Sequence, residues 1–131
     1  VAVRKEKIKE QMEEFVSGLL QEGEAWQGGA LGQSGPMPGL FGLIGMAFIK
    51  QYYVALTNRR VLFVRTSQFS GKPLRLDFED ARDIARLSPG GDGTFWSLAT
   101  YEGSRSIKLR YHKFWREEMA IVMHALQGAS T

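Results

Sequence analysis

A curled antiparallel β domain with a helix at each end is the fold this sequence predicts, and three observations predict it. From Gln51 onward, apolar residues recur with a period of two, in short runs separated by turn residues. Before Gly23 and after Tyr111 the apolar period is helical instead. In between, Ala25 to Ile49 carries no charged residue and 7 of the chain's 15 glycines. The class is mainly β with helices: a seven-stranded antiparallel barrel or sandwich, capped by a C-terminal helix and preceded by an extra N-terminal one. Seven such strands on short turns close on themselves, because open edges invite aggregation.

The N-terminal segment places Ile8, Met12, Phe15, Val16, Leu19 and Leu20 on one helical face, with Lys5, Glu6, Lys9, Glu10, Glu13 and Glu14 on the other. Gly18 is a weak spot and Gly23 the expected stop. The polar face mixes acids and bases evenly, whereas a membrane-surface helix is cation-rich there, so the helix is expected to dock on protein. Residues 1–22 thus read as an amphipathic helical extension, and 24–127 as the domain proper.

Within the charge-free segment, Trp26 to Gln33 reads as a glycine-loosened strand. "PGLFGLIGMAFI", Pro38 to Ile49, is a short apolar run broken by Gly39, Gly42 and Gly45. Twelve residues fall short of the roughly 18 of a membrane span. The run is expected to pack over the core; the alternative is an exposed surface for association or membrane contact, made of Leu40, Phe41, Leu43, Ile44, Met46 and Phe48.

The remaining strands follow in order. Gln51–Thr57 and Arg60–Thr66 form a hairpin around Asn58, a residue that tolerates the left-handed backbone of tight turns. Val61 to Val64 is apolar on both faces, as in a strand covered on both sides. "LRLDF" alternates, with Leu74, Leu76 and Phe78 expected inward and Arg75 and Asp77 outward. A short strand at 83–87 ends at the turn "SPGGDG". Strands at 94–101 and 105–111 pair across Gly103-Ser104, a two-residue turn with glycine first. Trp115, Met119, Val122 and Leu126 mark the face of the last helix, which plugs the curled sheet.

At 131 residues the chain makes one domain, large enough for a core without staples. Without cysteine there is no disulfide, thiolate zinc site or cysteine nucleophile. Val1 to Lys5 lack a signal-peptide core, and a start without Met is that of a trimmed chain; the expected location is the cytoplasm, with peripheral membrane contact as the alternative. The net charge of +3 is uneven: residues 50–116 hold 13 basic and 6 acidic side chains, and the flanks are acidic. Such an excess attracts polyanions or simply solvates a sheet face.

No catalytic set can be assembled. His112 and His124 lack metal-ligand spacing, "SGKP" lacks the Walker A pattern, and "GGDG" precedes a strand. In "FEDARD", Glu79, Asp80 and Asp83 form an acidic loop cluster better suited to turns and caps than to a cation. The sequence therefore predicts no enzyme, metal, cofactor or small-molecule substrate. Basic residues interleaved with Phe63, Phe69, Phe95, Trp96 and Tyr101 suit a nucleic-acid stacking platform, but no recognition motif accompanies them.

"ALTNRRVLFV", Ala55 to Val64, resembles a hairpin of the bacterial pleckstrin-homology-like and GRAM-like families. That resemblance implies bent orthogonal sheets of seven strands with a C-terminal helical cap, covering roughly 24–127. Relatives of this fold often bind phosphoinositides through basic residues in the loop after the first strand. Here that loop lies in the charge-free segment, which implies weak and unspecific headgroup binding. A substitute anion patch would use Arg59, Arg60, Lys72, Arg75, Lys108 and Arg110; equally, one guanidinium of the Arg59-Arg60 pair can bond nearby carbonyls. The expected role is a non-catalytic interaction module binding a protein partner or a second copy of itself, with anionic lipid as the alternative.

Overall fold

The computed structural model describes residues 2–35 and 42–127. Helix α1 (Ala2–Ser17) leads into strands β1 (Trp26–Ser34), β2 (Lys50–Thr57), β3 (Arg60–Thr66), β4 (Pro73–Ala81), β5 (Arg86–Asp92), β6 (Trp96–Glu102) and β7 (Ser106–His112). A short helix α2 (Gly42–Met46) precedes β2, and a 3₁₀ turn at Lys113–Trp115 leads into helix α3 (Arg116–Ala125). The seven strands form one antiparallel sheet in the order β4-β3-β2-β1-β7-β6-β5. Among the described residues, no helix is long and apolar enough to cross a membrane.

β1 meets β7 through a single residue pair, Gln33 with Arg110, which divides the sheet into a four-strand half and a three-strand half. The halves pack through aromatic rings. Phe63 of β3 stacks on Phe78 of β4 at 4.4 Å, and Tyr101 of β6 lies 4.6 Å from Phe63. Tyr52 of β2 meets both phenylalanines edge-on and donates its hydroxyl to Asp77 at 2.7 Å. Offset and edge-to-face rings of this kind add to the gain from area burial alone.

The next residue along β2, Tyr53, points the other way, as the strand period requires. Its ring stacks on Trp26 and meets Trp115 edge-on at 5.9 Å. Ile8, Met12 and Val16 of α1 are buried in the same apolar cluster as these strands. β2 and β3 are therefore covered on both faces, which is why Val61 to Val64 has no polar side. α1 docks on its own chain, and Lys5 and Lys9 pair with Glu118 of α3 at 3.0 and 3.4 Å to hold the helices together. It ends at Ser17, so Gly18 rather than Gly23 marks its stop. Trp115, Met119, Val122 and Leu126 are all buried, against β1 and β5.

Gly29 is fixed by the tyrosine beneath it. A Cβ there would lie 2.6 Å from the Val54 carbonyl oxygen and overlap the Tyr53 ring. Gly29→Ala is expected to cost about 1–3 kcal/mol, the usual range for overpacking. A thermal melt at the wild-type temperature would show that β1 does not press on Tyr53.

Four expectations are corrected. Two β-bulges break the alternation of β4, so Leu74 is exposed and Asp77 turns to receive Tyr52. Glu79 and Asp80 lie on β4 rather than in a loop, and buried Asp80 accepts from the Tyr101 hydroxyl and, at 3.1 Å, from Ser104 N. "SPGG" is not a turn but part of β5, where Pro89 is tolerated because β5 is an edge strand with a bulge after it. The turn between β6 and β7 holds three residues, since Glu102 pairs with Ser106.

Candidate functional site

The β2–β3 turn carries the residues singled out from the sequence, and the fold spends most of them on itself. Thr57 Oγ accepts from the backbone N–H groups of Arg59 and Arg60 at 3.1 and 3.0 Å, closing the turn. The same hydroxyl donates to Glu24 at 2.6 Å. Asn58 clasps the preceding segment, accepting from Ala25 N at 2.8 Å and donating to the Gly23 carbonyl at 3.2 Å. Arg60 grips Glu24 with two nitrogens at 2.8 and 2.9 Å, and also bonds the Leu19 carbonyl and Glu79. The Glu24 carboxylate is fully buried, and the Arg60 guanidinium holds it down at about 2 against an ordinary 4.5. Glu24 gave little warning in the sequence beyond standing just before the charge-free stretch.

The six cations do not form a patch. Arg59 is exposed with its guanidinium beside Gly23, whereas Arg60 is engaged as described. Lys72 is exposed in the loop beyond the far end of β3, roughly 20 Å of strand away. Arg75 is exposed opposite Arg65. Lys108 is exposed on β7, in the other half of the sheet. Arg110 is buried, reaching the Gly35 carbonyl and Gln33 at 3.4 Å each, and desolvation lowers its pKa.

The apolar run fares differently. Leu40 and Phe41 lie outside the described residues, as do the side-chain positions of Leu43 and Met46. Ile44 is 73% exposed and Phe48 66%, so neither belongs to the core, against the expectation of burial. Only Ile49 and Gly45 are buried here among the described residues. The β3–β4 loop stands beside this segment, since Gln68 donates to the Ile49 carbonyl at 2.7 Å. Its neighbour Phe69 is 81% exposed, with its carbonyl held by Arg4 at 3.0 Å. Two loops at one end of the sheet thus present Ile44, Phe48 and Phe69 to solvent. Phe69 gave no signal as part of this surface, because it is distant in sequence from the apolar run.

The remaining chemistry-bearing residues have structural work. His112 Nδ1 accepts from Phe114 N at 3.1 Å, capping the 3₁₀ turn, and its ring stacks on Phe114. His124 is exposed on α3. Among the described residues, no three His, Asp or Glu side chains are grouped to hold a metal ion. Of the five aromatics of the stacking platform, Phe63 and Tyr101 are in the core, while Phe69 and Phe95 are exposed on different loops. These features define a class: a seven-stranded antiparallel sheet domain with packed terminal helices and an apolar loop surface. No protein-family model, curated protein or solved structure matches the chain.

Proposed function

We propose that the chain is a non-catalytic interaction module of pleckstrin-homology-like architecture, which binds a protein partner through its α2 and β3–β4 loops. The architecture is supported by the division of the sheet into four and three strands and by the helix packed against both halves. The observation that carries the function is the joint exposure of Ile44, Phe48 and Phe69 on two hydrogen-bonded loops. Large apolar side chains gathered at one end of a domain mark a contact surface. A second copy of the chain fits the same surface, in a symmetric contact. Anionic lipid is the second reading, favoured by exposed Lys50 and Lys72 and by Arg4 at the same loops.

The double variant Ile44→Asp, Phe48→Asp tests this. Both side chains are exposed, so the melting curve should stay within about 0.5 kcal/mol of wild type. Sedimentation should show the wild type associating and the variant monomeric. Wild-type binding to phosphatidylserine vesicles, lost in the variant and without self-association, selects the lipid reading. A monomeric wild type that also ignores vesicles and loses no partner on substitution overturns both.

A further inference from the structure

A separate pocket lies where α1, β1 and α3 meet, and nothing proposed above uses it. Its volume is about 260 Å³, just below the roughly 300 Å³ at which ligand pockets usually begin. Tyr53 forms part of its lining, from a side chain with no exposed surface. The phenolic oxygen of Tyr53 is buried yet makes no hydrogen bond among the described residues. Such an orphan is costly: leaving a buried donor unsatisfied loses the hydrogen bond it had with water.

The walls are apolar or bare. Trp26 stacks against Tyr53 on one side, and Ile121, 58% exposed on α3, stands at the opening. Gly28 has no atom within 4 Å of where a Cβ would stand, so the strand leaves open space there. The rim bears one lysine and two carboxylates: Lys9 pairs with Glu118, and Glu13 stands beside them. The acids Glu118, Glu13 and Glu6 make the surroundings of the phenol negative, which adds to burial in raising its pKa. That field repels an anionic acceptor. An ammonium group meets no such repulsion but brings no acceptor for the hydroxyl.

We propose that this pocket binds a small, neutral, planar molecule carrying a carbonyl-type acceptor. Its acceptor takes the Tyr53 hydroxyl proton, and because that hydroxyl has no accessible surface here, binding shifts the half-buried Trp26 ring off the phenol. The site is independent of the loop surface, and each stands or falls by itself.

Benzamide, benzoate and benzylamine, titrated separately and followed by saturation-transfer NMR, test the site and its charge selection. Benzamide should bind in preference to both ions. Tyr53→Phe keeps the ring and removes only an unpartnered hydroxyl, so the fold should persist while benzamide binds roughly three- to tenfold more weakly. Ile121→Trp, at an exposed helix position, should close the opening and abolish binding. Tighter binding of either ion, equal benzamide binding by Tyr53→Phe, or no benzamide binding at all overturns the proposal.

Discussion

Replacing Trp115 with alanine is expected to destabilise the domain by about 3–5 kcal/mol, the range for truncating a large buried aromatic. The ring is 6% exposed and stands where three elements meet. It meets Tyr53 of β2 edge-on, Lys5 of α1 lies 5.8 Å above it, and it occupies the N-cap position of α3. Truncation therefore loosens both helices from the sheet at once, and the hole it leaves lies between elements too rigid to collapse into it. Trp115→Phe should recover part of the loss by refilling some of the space. Urea unfolding followed by circular dichroism gives the comparison. A Trp115→Ala variant with the wild-type midpoint would show that α3 is not held through this ring.

Trp115 also shows how the fold could be read from sequence. The last helix and the β2–β3 hairpin follow from periodicity, since period 3.6 and period 2 bury different residue sets, and the two-sided burial of Val61 to Val64 follows from its unbroken apolar run. The errors sit where local pattern gives way to long-range contact. Asp77 reads as an outward residue of an alternating strand, yet a bulge turns it toward the Tyr52 hydroxyl. Pro89 reads as a turn residue because its neighbours are glycines, and only its place on the sheet edge makes it strand. The candidate site was half legible. Ile44 and Phe48 stood out as an apolar run, but their exposure depends on how much core the sheet and helices already fill. The arginine pair was legible as chemistry and silent about its partner, because Glu24 is 36 residues away.

That partner makes Glu24→Gln the second large effect, expected to cost about 3 kcal/mol at neutral pH. The carboxylate accepts four hydrogen bonds, two from Arg60, one from Thr57 and one from Gln21 N at 2.9 Å. Glutamine keeps the shape but turns an NH₂ toward donors and leaves Arg60 with Glu79 and the Leu19 carbonyl alone. Breaking a buried pair from one side is strongly destabilising, by about 3–5 kcal/mol. The pKa gives a similar magnitude: a fall from 4.5 to about 2 is worth roughly 3 kcal/mol at 1.36 per unit. Because the folded-state pKa is depressed, this stabilisation is complete above pH 4.5 and is lost as pH falls toward 2. Asp80 and Glu118 are also lowered and titrate in both proteins, so the difference between variant and wild type isolates Glu24. That difference, from urea midpoints at a series of pH values, should be constant near neutrality and almost gone by pH 2. A gap that stays the same across the whole range would assign Glu24 to packing rather than to charge.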